Sequence, residues 1–214
     1  MLSSLSINEF AARISAGDVP PGGGSAAAMY GLTAAALLEL SINHSLKSPQ
    51  LVEHHELLIA KQAELARLHI ELTILIDRDA LALRGLLAAA GLPELTPEAR
   101  QARNTALQKA LKLAAEVPLE TARACLEVSE IGKAIVERVD KLVVSDLMTG
   151  AAAAHAGITG GLLSAAINLS EIDDEALVSA LKGQIYLLKL TADELRSGLE
   201  STVYGREPFS VLRG

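Results

Sequence analysis

Between Ser48 and Gly91, leucines recur every seventh residue: Leu58, Leu65 and Leu72, then Leu86, with Asp79 in the place that the series reserves for leucine. A second row runs beside it through Leu68, Leu75, Ala82 and Ala89. This is the seam of an amphipathic helix; a half-buried strand would alternate every second residue. Ser48-Pro49 is a start signal and Gly91-Leu92-Pro93 a stop, so one helix is predicted to run on to about Ala90. A helix of that length buries its seam only against partners of similar length. The rest of the chain is thereby constrained toward a helical bundle.

The remaining sequence supplies such partners. Ser6-Ile7-Asn8-Glu9 has capping-box spacing and predicts a short helix to about Ala16, stopped by Gly17-Asp18. A second helix is predicted from Gly24 or Ser25 to about Ser45. Thr96-Pro97-Glu98 opens a fourth, with Pro118 inside it to kink it and Gly132 near its end. A fifth begins near Val139 and reaches about Leu169, and a sixth follows Asp173-Asp174-Glu175 to about Leu199. Half the residues are hydrophobic but only 2% are aromatic, which leaves few strand formers. The expected fold is all-α: an antiparallel bundle of about five long helices plus a short N-terminal helix, as a single domain over residues 1–214.

Charge narrows the function classes. The net charge is -7 without a Lys/Arg run, so no nucleic-acid partner is expected. The lone Cys125 cannot form an internal disulfide, which fits a reducing, cytoplasmic compartment. No signal peptide is read. Pro20 to Leu38 and Leu147 to Ser170 carry no formal charge, and the second is long enough to raise a membrane span. Its content of small residues, His155 and no aromatic belt reads instead as a buried bundle centre. No membrane is expected. The five histidines do not form a ligand set, so no metal is expected.

Three places break the apolar pattern. Pro20-Pro21-Gly22-Gly23-Gly24-Ser25 is a loop feeding a helix N-terminus, whose unpaired N–H groups suit an anion; it also reads as a plain connector. Asp79 replaces a leucine of the seam. It is either a carboxyl with a tuned pKa in a cleft, fit for proton transfer, or a buried acid paired with an arginine or a helix N-terminus. Asp146 is the only charge on a stripe of small residues, Val139, Val143, Gly150, Ala153, Gly157, Gly160 and Ser164, with Ser145 beside it and Lys141 five residues earlier. Asp77 is read as a solvated partner of Arg78 or Arg84, and Glu116 as part of an exposed charged row with Lys112 and Glu120.

Four segments together resemble the formiminotetrahydrofolate cyclodeaminase and methenyltetrahydrofolate cyclohydrolase family. They are Pro21-Gly22-Gly23-Gly24-Ser25-Ala26-Ala27-Ala28, Asp77-Arg78-Asp79-Ala80, Ala115-Glu116-Val117-Pro118-Leu119, and Val144-Ser145-Asp146 with the small-residue run to Ile167-Asn168-Leu169. The resemblance implies a helical homodimer with a folate cleft and chemistry at the carbon bridging N5 and N10 of tetrahydrofolate. The tetrahydrofolate derivative is then the substrate, with no cofactor. It implies acid/base or orienting roles for Asp79 and Asp146. It makes Gly22, Gly23, Gly24, Ser25, Lys141 and Ser145 substrate-binding candidates, Lys141 toward the glutamate tail. Family members often carry Asn where Asp140 stands and Tyr or Phe where Leu81 stands. The contrasting expectation is a non-catalytic helical dimer that binds a small molecule or a protein partner.

Overall fold

The predicted start signals at Ser6, Thr96 and Asp174 work as their chemistry requires; Ser48-Pro49 instead opens a 3-10 segment, Pro49–His54, with no cap from the Ser48 side chain, and the long helix after it starts at His55. The computed structural model describes residues 1–17 and 19–213. Ser6 and Glu9 close a reciprocal capping box on α1 (Ile7–Ser15), and Thr96 accepts the Ala99 amide at the head of α4 (Pro97–Ile135). Asp174 does the same for the Leu177 amide in α6 (Glu175–Tyr204). Between them lie α2 (Gly23–Ser45), α3 (His55–Ala90) and α5 (Val144–Asn168). Gly17 follows α1 with a φ of 76°; the Asp18 half of that expected stop lies outside the described residues.

The helices α2 to α5 form a ring in which chain neighbours run antiparallel, and α5 closes back on α2. Arg67 and Arg78 of α3 meet Glu127 and Glu120 of α4 in descending order. The α5 glycines meet α2 in the same sense, Gly160 against Ala27 and Gly150 against Leu38. α6 lies outside the ring on α4 and α5, its Asp193 near His155. The leucine seam is the centre of the core: Leu58, Leu65, Leu68 and Leu72 are fully buried with Leu38, Ile42, Leu119, Leu147 and Ile158.

The small-residue stripe of α5 lets α2 approach closely. At Gly157 an added Cβ would meet the Ala27 carbonyl at 2.9 Å and the Cys125 sulfur at 2.7 Å, so no larger residue fits there. α2 and α5 are both long and apolar enough to cross a membrane. In this fold they are the facing pair of the bundle, and the same composition serves contact between helices.

The fifth helix departs from expectation. Val139 to Val143 fit the stripe, but Asp140 accepts the Leu142 amide and starts a separate 3-10 turn, Lys141–Val143. The α-helix proper begins at Val144. Pro118 does not break α4, which continues through it.

Candidate active site

The glycine loop ends at Gly22, an extended N-cap whose lack of a side chain leaves the first amides of α2 without a local partner. The partner comes from α3. The Ser25 hydroxyl donates to Asp79 Oδ2 at 2.7 Å, and the Ser25 backbone N–H adds a second bond. The protein's own Asp79 carboxyl thus stands at this helix N-terminus. Gly24 permits the approach: a Cβ there would sit 2.6 Å from Asp79 Cγ. The seam explains why the acid is here. It holds the position of a core leucine and is only 9% exposed. Burial pushes its carboxyl above the ordinary carboxylate range, while both Ser25 hydrogen bonds favour the ionised form and pull it back.

Asp79 opens onto a cleft of about 170 Å³ between the start of α2, α3, α4 and the end of α5. Gly22, Gly23, Gly24, Leu86, Pro118 and Asn168 are among its walls. Pro118 has no N–H to give the carbonyl four residues back, Ala114. The Asn168 amide fills that vacancy, donating to Ala114 O at 2.9 Å and also to Ser164 O at 2.9 Å. Two of the resembling segments are thus one device: the proline frees a carbonyl and the asparagine binds it, tying α4 to the end of α5.

The second acid is elsewhere. Ser164 of α5 lines the Asp79 cleft, and Asp146 lies eighteen residues before it on the same helix, about 27 Å along the axis. Within one chain Asp79, Gly22, Gly23, Gly24 and Ser25 come together, and Lys141, Ser145 and Asp146 form a separate group at the opposite end. Asp146 is half-buried, Ser145 and Lys141 exposed. Lys141 lines a different cavity with Arg206 and Phe209.

Two expectations for the other acids need correction. Asp77 is no partner of Arg78 or Arg84: it accepts the Leu2 amide and the Ser3 hydroxyl. Arg78 pairs with Glu120 instead. The row around Glu116 is not paired along its own helix either, because Lys112 reaches Asp174. Sequence reasoning on single residues missed Pro118, Ser164 and Asn168 as cleft walls. The available signal was a helix-interior proline together with a late asparagine able to satisfy its freed carbonyl.

Comparison with known proteins finds chains similar to this one. The sequence profile described as formiminotransferase-cyclodeaminase covers residues 6–186. A methenyltetrahydrofolate cyclohydrolase of Methylorubrum extorquens is 30% identical over 203 residues, 95% of this chain and 98% of that protein. A formimidoyltransferase-cyclodeaminase of Rattus norvegicus is 28% identical over 86% of this chain, which spans only 34% of the rat protein. The crystal structure of a formiminotetrahydrofolate cyclodeaminase from Thermotoga maritima superposes with a TM-score of 0.87 at 22% identity, covering 96% of this chain and 98% of that one. That last likeness is one of fold.

Proposed function

The chain belongs to the formiminotransferase-cyclodeaminase family, and we propose that it is a folate one-carbon enzyme acting at the carbon between N5 and N10. The observation that carries this is Asp79, a buried carboxyl fixed by Ser25 on the wall of a cleft. In the cyclohydrolase reaction water adds to the methenyl carbon of 5,10-methenyltetrahydrofolate. Asp79 takes one proton from that water. As the carbon–N5 bond breaks, N5 keeps the electron pair and receives that proton from Asp79, the adduct's hydroxyl gives up its own proton to solvent as the formyl C=O forms, and 10-formyltetrahydrofolate leaves. In the cyclodeaminase reaction N10 attacks the formimino carbon and its proton passes to the imino nitrogen; the same carboxyl, protonated, supplies the one further proton with which that nitrogen departs as ammonia, leaving 5,10-methenyltetrahydrofolate. The Methylorubrum extorquens relative, matched along 98% of its length at 30% identity, bears the cyclohydrolase name, which favours the first reaction; the Thermotoga maritima cyclodeaminase is matched as fully but at 22% identity, as a fold. Gly22, Gly23 and Gly24 offer a wall without side chains for a flat pterin.

Asp146 and Ser145 enter this reading through a second copy of the chain. Tyr30 and Leu40 of α2 and Leu163 and Ile167 of α5 are 44%, 45%, 67% and 76% exposed. The outward α5 positions Ser145, Thr149, Ala152, Ala156, Leu163 and Ile167 carry no charge. An antiparallel two-fold pairing across this face sets the first turn of one α5 beside the last turn of the other. Asp146 of one copy then approaches the Asp79 cleft of the other, with Ser145 at its rim toward the substrate, while Lys141 keeps to the separate cavity it lines.

The test follows methenyltetrahydrofolate absorbance and, separately, ammonia release from 5-formiminotetrahydrofolate. Asp79→Asn should lower the rate by about 10²–10⁴. Asp146→Asn should lose activity too. When the two inactive variants are mixed and re-associated, half the dimers are mixed and each has one intact site, so roughly a quarter of the activity returns. Full activity in Asp79→Asn would sink the catalytic reading. No recovery on mixing would sink only the shared site.

A further inference from the structure

A cavity of about 520 Å³ lies at the other end of the bundle from the Asp79 cleft. Its size falls within the range of small-molecule sites. Two segments build it. Val139, Lys141, Leu142 and Val144 come from the α4–α5 connection, and Arg206, Glu207, Pro208 and Phe209 from the chain after α6. Val139 and Val144 are buried and Phe209 half-buried, so the walls are apolar.

The polar groups on these walls are biased toward one sign. Glu207 accepts the Ser210 hydroxyl. Arg206 uses its Nε to hold the Thr202 carbonyl at 2.9 Å, which fixes the guanidinium and leaves its two terminal nitrogens. Among the described residues neither Lys141 nor Arg206 is in an ion pair. The net charge is -7, and two cations against the single carboxylate Glu207 give this apolar hollow a local excess of positive charge.

We propose that this pocket is an accessory binding site for a small monocarboxylate with a flat or branched apolar body. The carboxylate lies between Lys141 and Arg206, and the apolar part rests on Phe209, Val139 and Val144. A planar guanidinium fits a carboxylate with two parallel hydrogen bonds, and the lysine adds a point charge. The inference does not depend on the chemistry assigned to Asp79.

The chain has no tryptophan, so Phe209→Trp places a single fluorophore in the pocket wall. Benzoate should shift its emission saturably, and benzyl alcohol, similar in shape but neutral, should not. Adding Lys141→Gln and Arg206→Gln together should weaken the benzoate response at least about tenfold, the loss expected when charge-assisted bonds are removed. Calorimetric titration of the unaltered chain with benzoate repeats the measurement should the tryptophan variant fail to fold. Equal binding of benzyl alcohol, or benzoate binding unchanged in the double glutamine variant, overturns the proposal. So does a flat titration of the unaltered chain. Competitive displacement of benzoate by 5-formyltetrahydrofolate also overturns it, because the pocket would then be part of the substrate site.

Discussion

An acid stands near each end of α5, Asp79 of α3 at one and its own Asp146 at the other, yet the two are different places physically. At the Ser164 end four helices converge and Asp79 has lost most of its water. Its carboxyl is held by Ser25, its approach is permitted by Gly24, and the wall behind it is tied by Asn168. At the Val144 end Asp146 is half in solvent, in the first turn of its helix, beside a 3-10 turn capped by Asp140. One acid is positioned by neighbours far away in sequence; the other stands on a local feature. Burial and fixed hydrogen bonds give a group a perturbed pKa and a defined direction, and solvent exposure gives neither. This is why Asp79 carries the functional argument within one chain and Asp146 needs a partner to join it.

Three substitutions probe that contrast at decreasing strength. Gly24→Ala places a methyl group against the Asp79 carboxyl, and either the side chain or the α2 backbone must move. The expected cost is about 1–3 kcal/mol, read as a fall in Tm of about 2–4 °C per kcal/mol, together with loss of activity. An unchanged Tm would mean that the close end is as yielding as the open one. Asn168→Ala leaves the Ala114 carbonyl without its donor, and a buried unpaired acceptor costs about 1–3 kcal/mol. Denaturant midpoints measure it, and a cost near zero would show water replacing the amide.

The smallest effect is a shift along the pH axis. Both Ser25 bonds favour ionised Asp79, against a burial that disfavours it. Removing the hydroxyl with Ser25→Ala removes a term that lowers the pKa, so the carboxyl titrates at a higher pH than in the unaltered protein. With Asp79 as the base that takes a proton from water, activity rises as it ionises, and the acidic limb of the pH–rate profile should move upward. Stability follows the same sign. Because the folded pKa is raised, whatever Asp79 contributes is fully present below its unfolded value and is lost as pH rises through the folded one. In the alanine variant that loss should extend to higher pH. A limb that stays in place would return Asp79 to a structural role.

Much of this was readable in the residues. The seven-residue seam singled out Asp79 before any contact was known, and Ser6, Thr96 and Asp174 cap their helices as their spacing requires. Periodicity leaves one coordinate out. A helical repeat reports the angle of a side chain around the axis and says nothing of its height along that axis. Asp146 and Ser164 share one angle and stand at opposite ends. The Asn168–Ala114 bond joins residues 54 apart, and Ser25–Asp79 another 54, separations that no local pattern carries. The early start expected for α5 failed for a local reason. Val139 and Val143 fit the apolar stripe, but Asp140 offers its carboxylate to the backbone and ends the helical register there.

The contacts of Asp77 with Leu2 and Ser3 bear on how this segment comes to pack. Leu2 has its native partner 75 positions downstream, which at ordinary translation speeds appears about 4–15 s later. Leu2 is 4% exposed in the finished fold, so the segment that carries it waits for α3 before it can take its native place.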